Sequence, residues 1–218
     1  MNALENPALT RKFLGIVQAE SDRMYSLVND IMSITKMESG QEQVELTRVN
    51  VPKRINKIFK ELTPEANQTG VELKYCSDAG DIVVIANERQ LDQVLTNLIQ
   101  NGVKYSDKCK ERRQVNVYLV PNAAAGKVTL SVQDNGIGVE QKHLDRLFER
   151  FYRVDKGRSR NMGGTGLGLA IVKHIVEDMH WEIEVNSKLN EGTEFAITMP
   201  LAPQEEPSET TTDDFWEE

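Results

Sequence analysis

Apolar residues recur at steps of three and four along residues 8–37: Phe13, Val17, Met24, Leu27, Ile31 and Ile34, with Glu20 interrupting the seam. Such a stripe predicts one long amphipathic helix of the kind found in coiled coils and helix bundles. A stripe of this kind must bury itself, and the expected partner is a helix outside this chain. Gly40 suits the helix stop. Residues 41–50 read as a connector. Pro52 then suits the first turn of a helix running to about Asn67 and ended near Gly70. Residues 71–76 and 82–86 are short and β-rich. Residues 88–104 predict another helix, with Leu91, Val94, Leu95, Leu98 and Ile99 on its apolar side. Residues 114–120 and 127–134 alternate as strands around a hairpin-like 121–126. Residues 139–164 contain a short helix but little continuous periodicity. A helix over 167–179 follows, then strands at 181–186 and 194–200 around a turn at 190–192.

After the long N-terminal helix, the order is α, ββ, α, ββ, α, ββ. It predicts an α+β fold, a mostly antiparallel sheet with helices on one face. The expected divisions are 1–40, 41–202 and 203–218, the last an acidic tail too poor in apolar residues to fold. Phe215 and Trp216 in that tail are candidates for a small docking motif.

Charge sharpens this division. The 218 residues carry a net charge of −8. Residues 204–218 hold seven acids and no base, and without them 27 acids face 26 bases. The body is near neutral, which argues against a nucleic-acid binder with a dominant basic face. No apolar run reaches the roughly 20 residues of a membrane helix, and the N-terminus lacks a signal-peptide pattern. A cytoplasmic chain without direct membrane contact is expected. Cys76 and Cys109 are too few and too poorly spaced for a disulfide framework or zinc site, and read as reduced thiols.

Four clusters carry chemistry. Asn97, Asn101 and Lys104 fall at i, i+4 and i+7 on one helix face. An amide oxygen suits Mg²⁺ already carrying phosphate oxygens, and a lysine one turn on can reach a phosphate. A solvated polar face is the plainer alternative. Asp134-Asn135-Gly136-Ile137-Gly138 follows a strand directly. There a carboxylate can accept from an exocyclic amine while glycines let a planar ligand approach. A simple Asp-Asn-Gly turn is the alternative. Gly163, Gly164, Gly166 and Gly168 lead into a helix and offer free N–H groups to phosphate. Residues 140–160 hold seven bases against four acids, with Phe148, Phe151 and Tyr152. They read as a lid over an anionic planar ligand, or as a long surface loop.

In this order the residues resemble the ATP-binding catalytic domain of sensor histidine kinases, in the GHKL superfamily. Residues 97–106 look like its N box and 134–138 its G1 box. The sequence Phe148-Glu149-Arg150-Phe151-Tyr152-Arg153 looks like its F box, and 164–169 its G2 box. Gly192-Thr193-Glu194-Phe195 is similar to its closing strand. Residues 8–40, with Glu20, Arg23, Leu27, Val28 and Asp30, resemble the second helix of the dimerisation and phosphotransfer hairpin.

The resemblance implies a two-layer α/β sandwich with ATP between the N-box helix and the lid. By it, Asp134 would bind the adenine amine, with Gly136, Ile137, Gly138 and Thr193 nearby. Asn101 would hold Mg²⁺ beside Asn97. Lys104 and Arg153 would meet phosphates. Tyr105 or Tyr152 would flank the base or ribose, and Gly164, Thr165, Gly166, Leu167 and Gly168 would wrap the phosphates. Implied partners are a histidine-bearing hairpin, a response-regulator receiver domain, and a second copy through the N-terminal helix.

Two departures stand out. Glycine replaces the family's usual alanine at Gly102, costing roughly 1 kcal/mol in a helix and softening it there. His143, His174 and His180 all lack the acceptor context, so no catalytic residue is assigned to this chain and the acceptor histidine is expected elsewhere. Either the chain begins after the acceptor helix or the natural protein lacks that helix, and the unpartnered stripe on residues 8–37 favours the first reading. A related ATPase would carry a glutamate base where Asn97 stands, and an amide cannot act as a base. A non-enzymatic nucleotide sensor is the other alternative.

Overall fold

The structure is a computed structural model, and it describes residues 6–38, 45–77, 80–154 and 164–203. The expected short tail motif at Phe215 and Trp216, and lid residues 155–163, lie outside these.

Helix α1 (Pro7–Glu38) begins where the Asn6 side chain accepts from the N–H groups of Ala8 and Leu9, at 3.1 and 3.3 Å. Of its predicted stripe, Leu27 and Ile34 touch the main core, while Phe13, Val17, Met24 and Ile31 are exposed. Helix α2 (Val51–Thr69) is capped by Asn50, which accepts from Lys53 N–H at 3.0 Å, and ends on left-handed Gly70. Helix α3 (Glu88–Lys104) has the predicted limits, with Asn87 accepting from Gln90 N–H at 3.0 Å. Arg54 and Lys57 of α2 pin α3 through Asp92, at 2.7 Å from Arg54 Nε and 2.9 Å from Lys57 Nζ. Burial pushes the Asp92 carboxyl up, but these two donors outweigh it and hold the group below its usual range.

Strands β2 (Val71–Tyr75), β4 (Arg113–Asn122), β5 (Lys127–Asp134), β6 (Glu182–Lys188) and β7 (Gly192–Pro200) form one sheet in the order β2-β4-β5-β7-β6. Only the β2–β4 pair is parallel, and its crossover carries α3. Alternation buries Val115, Val117 and Leu119 of β4, Val128, Leu130 and Val132 of β5, and Phe195, Ile197 and Met199 of β7. They join one core with Ile55 and Ile58 of α2, Leu91, Leu95 and Leu98 of α3, and Ile171 and Ile175 of α4 (Gly168–Asp178). This is the mostly antiparallel sheet with helices on one face that the element order predicts, and the two-layer α/β sandwich that the resemblance implies.

Two local readings change. Thr47–Asn50, expected within a connector, is strand β1, paired antiparallel with β3 (Val83–Ala86) in a separate two-stranded ribbon. Four residues with one buried apolar side chain, Val49, give no readable alternation. Ala202 N–H donates to the Val83 carbonyl at 2.8 Å, tying the ribbon to the end of β7. The short helix of the lid is a 3-10 turn at Gln141–Arg146. Cys76 and Cys109 are free and exposed.

Candidate functional site

Along β5 the inward positions are Val128, Leu130, Val132 and then Asp134. The alternation that builds the core therefore delivers a carboxylate to the core-facing side, where β5 ends. Its Oδ1 accepts from Gly136 N–H at 2.7 Å. Burial pushes the Asp134 carboxyl up to about 6, against backbone hydrogen bonds at Gly136 and Thr193 and the charge of Lys110. A partly desolvated acceptor of this kind favours a polar partner.

The turn after Asp134 is wedged between two elements. A Cβ on Gly136 would lie 2.3 Å from the Tyr105 carbonyl oxygen and 2.8 Å from Asp134 Oδ1. Ile137 N–H donates to that same Tyr105 carbonyl at 3.0 Å, and Asn190 N–H donates to the Ile137 carbonyl at 2.7 Å. Gly138 has φ +64°, and a Cβ there would lie 2.0 Å from the Lys188 carbonyl oxygen, so both contact and conformation demand glycine. Thr193, opposite Asp134 on β7, has its Oγ1 2.9 Å from Ser187 Oγ. Ser187 also accepts from Val139 N–H and donates to the Gly192 carbonyl, each at 2.8 Å. Sequence reasoning missed Ser187. The available signal was a hydroxyl continuing the half-buried alternation Ile183, Val185 of an otherwise unremarkable strand.

The polar face of α3 meets the glycine loop. Asn97 Nδ2 donates to the Gly168 carbonyl at 3.1 Å. Two helical turns further along, Lys104 Nζ lies against Gly164, where a Cβ would be 2.0 Å away. Asn101 is half-buried on the turn between these two contacts. Burial pushes the Lys104 ammonium down to about 8, helped by the charges of Arg153 and Arg23 and opposed by Glu65. Burial raises the Tyr105 hydroxyl. Gly102 also meets a packing need. A Cβ there would lie 2.7 Å from Val115 Cγ2 and 3.3 Å from Asp134 Cβ, and α3 runs through it unbroken. The missing side chain lets α3 approach β4 and β5 beside the carboxylate.

Within the loop, Thr165 Oγ1 donates to Asp30 Oδ2 of α1 at 2.7 Å and accepts from Leu167 N–H at 3.2 Å. Gly166 accepts from Phe151 N–H at 2.9 Å. The Leu167 side chain is fully buried in the core and anchors the loop. Of the two tyrosines, Tyr105 ends α3 beside Gly136. Tyr152 is held within the lid, its hydroxyl 2.7 Å from His143 Nδ1 and its ring 4.2 Å from the Arg146 guanidinium. Arg153 is half-buried, and its charge reaches both Lys104 and Tyr105.

These groups supply a half-buried carboxylate, two amides, a partly desolvated ammonium and a glycine loop at the start of α4. Among the described residues no cluster of three His, Cys, Asp or Glu could hold a metal by itself. A hard cation here would take an amide oxygen and complete its shell from a phosphate ligand, as Mg²⁺ commonly does.

A family model described as "Histidine kinase-, DNA gyrase B-, and HSP90-like ATPase" matches residues 86–203. The sensor protein kinase WalK of Staphylococcus haemolyticus (strain JCSC1435) is 38% identical over 192 residues, 88% of this chain and 31% of that protein. WalK of Staphylococcus epidermidis (strain ATCC 12228) is 36% identical over 198 residues, 91% of this chain and 32% of its own length. The chain thus spans about a third of these curated relatives. Among solved structures, full-length ShkA in complex with AMPPNP matches with a TM-score of 0.74 and 27% identity, over 89% of this chain and 39% of that one. Histidine kinase ThkA in complex with response regulator protein TrrA shares the fold, with a TM-score of 0.70 and 22% identity over 92% of this chain and 54% of that one.

Proposed function

The chain belongs to the family of histidine kinase-, DNA gyrase B- and HSP90-like ATPases, and on that premise we propose that it is the catalytic portion of a two-component sensor histidine kinase. It binds Mg²⁺ and ATP and passes the γ-phosphoryl to a histidine outside residues 1–218, from which a response-regulator receiver domain takes it. The observation that carries this reading is Asp134, a half-buried carboxylate delivered to the end of β5 beside the amide and lysine face of α3.

Each role follows from chemistry. Asp134 accepts from the exocyclic amine of adenine, and the walls made by Gly136, Ile137 and Gly138 keep that acceptor out of water. Tyr105 flanks the base. Asn101 supplies an amide oxygen to Mg²⁺, with Asn97 holding the glycine loop at Gly168. Mg²⁺ supplies charge neutralisation between phosphate oxygens. Lys104 and Arg153 meet phosphate, and a polyphosphate drives the Lys104 ammonium back toward full protonation above pH 8. The backbone of 164–168 wraps the phosphates at the start of α4.

Phosphoryl transfer needs positioning and charge neutralisation more than a protein nucleophile. That favours a kinase over a hydrolytic ATPase, because Asn97 stands where a base would be needed and its amide is bound to the loop. We read α1 as the second helix of the dimerisation and phosphotransfer hairpin and 41–202 as the ATP-binding domain. The exposed apolar residues of α1, among them Phe13, Val17 and Met24, suit a second copy and a neighbouring helix. No described helix is long and apolar enough to cross a membrane.

Calorimetry with ADP tests the metal role. Asn101→Ala is expected to weaken binding about tenfold in the presence of Mg²⁺ and much less in its absence, since one hard-cation ligand is removed. Equal losses in both conditions would make Asn101 a structural residue only.

A further inference from the structure

Lys110 belongs to none of the motifs, yet its ammonium ties together the two turns that enclose Asp134. It comes from the connector 105–112 between α3 and β4. There Asp107 braces the chain, its Oδ1 accepting from Cys109 N–H at 2.9 Å and its carbonyl from Lys110 N–H at 3.1 Å. Lys110 Nζ donates to the Asn135 carbonyl at 2.7 Å and the Glu191 carbonyl at 3.2 Å, and reaches the Gly136 carbonyl at 3.5 Å. An ammonium has three donors and no acceptor, and three backbone carbonyls surround this one. Two belong to the turn that starts at Asp134, and one to the β6–β7 turn. Gly192 of that second turn is so close that a Cβ would lie 2.0 Å from the Asp134 carbonyl oxygen. The Glu191 carboxylate pairs with Lys188, so Lys110 meets Glu191 through its carbonyl.

We propose that Lys110 is a positioning residue for base selection: it clamps the two turns, fixes where the Asp134 carboxylate points and keeps a positive charge beside it, and so sets a preference for adenine over hypoxanthine in the bound nucleotide. This rests on the nucleotide-binding reading above and names the residue that tunes it.

The discrimination is a matter of donors and acceptors. Adenine presents an amine at position 6, whereas hypoxanthine presents an oxygen. An anionic carboxylate accepts from the amine and repels the oxygen, while a carboxylic acid can donate to that oxygen. Preference therefore follows the ionisation of Asp134. Burial drives that carboxyl up to about 6, and Lys110 is the charged side chain that opposes it. The other groups facing it are uncharged: Gly136 N–H from its own turn, the Thr193 backbone from β7, and the Tyr105 carbonyl of α3 behind Gly136. Loss of the Lys110 charge moves the carboxyl further up and increases its acid form near neutral pH.

The test compares ADP and IDP binding by calorimetry from pH 6 to 8, for the wild type, Lys110→Met and Lys110→Gln, with melting curves to confirm folding. The wild type is expected to prefer ADP, with the preference shrinking toward pH 6. Both variants are expected to lose about tenfold of the ADP-over-IDP ratio at pH 7, because a charge-assisted hydrogen bond is replaced by a neutral one. The pH at which the preference is half lost moves upward in both. Lys110→Gln, which can still donate to carbonyls, keeps more ADP affinity than Lys110→Met. An unchanged ratio and unchanged pH profile in both folded variants overturns the proposal, whatever happens to their stability. A wild type that binds neither nucleotide instead overturns the nucleotide reading itself.

Discussion

Asp134→Asn is expected to abolish adenine-nucleotide binding and to stabilise the nucleotide-free protein at pH 7.5. The carboxyl has been raised from 3.8 to about 6 by burial. Its folded-state value thus lies above its unfolded one, so the wild type loses stability as pH rises from about 4 through about 6. At pH 7.5 the buried charge costs roughly 3 kcal/mol. The asparagine oxygen can still accept from Gly136 N–H, which Asp134 Oδ1 does at 2.7 Å. Desolvating the new amide returns part of the gain, leaving about 1–2 kcal/mol net. At pH 4.5 the charge costs only about 1 kcal/mol, because the folded wild type is already largely protonated there, so the net advantage of the variant is expected to vanish. Urea denaturation at the two pH values measures this. An equal difference at both would mean that the Asp134 charge is not what strains the fold. The pairing of lost binding with gained stability is the signature of a residue kept for function at the expense of the fold.

Gly136→Ala is expected to act in the opposite sense on stability, with a larger effect. The added carbon would lie 2.3 Å from the Tyr105 carbonyl oxygen. That oxygen is backbone at the end of α3, so either the helix end or the turn must move. Movement breaks the 3.0 Å hydrogen bond from Ile137 N–H to Tyr105 and displaces the Asp134 carboxylate, whose Oδ1 would lie 2.8 Å from the same carbon. Strain of this kind, with a lost hydrogen bond, is worth about 3 kcal/mol or more. The denaturation midpoint should fall accordingly, and nucleotide binding with it. A shift under about 1 kcal/mol would mean that the turn yields easily and does not fix the carboxylate.

How far the sequence discloses this site depends on the range of the interaction. The limits of α3 are readable because five apolar residues at helical spacing sit between an Asn cap and a polar end, all local signals. Asp134 is readable twice, as the start of a glycine-bearing turn and as the fourth inward position after Val128, Leu130 and Val132. Strand β1 is not, since its four residues owe their conformation to β3, more than thirty positions away. The hydrogen bond between Asp30 and Thr165 spans 135 residues and leaves no periodic trace. Lys110 and Ser187 are silent for a related reason: each reaches backbone groups far along the chain, Lys110 at Asn135 and Glu191 and Ser187 at Val139, which any residues would supply. At Gly102 the local signal is incomplete. Helix propensity marks it as a weakness, whereas its contact with Val115 and Asp134 explains why a side chain is absent. Leu167 reads as the first residue of a helix, and only its burial shows that it belongs to the core.

Phosphoryl transfer itself is the most direct measurement. The chain is mixed with γ-labelled ATP, Mg²⁺ and a separately made hairpin bearing a candidate acceptor histidine. Acid-labile label is expected on the hairpin histidine, slowly because the tether's effective concentration is lost, and none on His143, His174 or His180. Phosphate release without any transfer to the hairpin, or label on one of those three histidines, would contradict a kinase whose acceptor lies outside this chain.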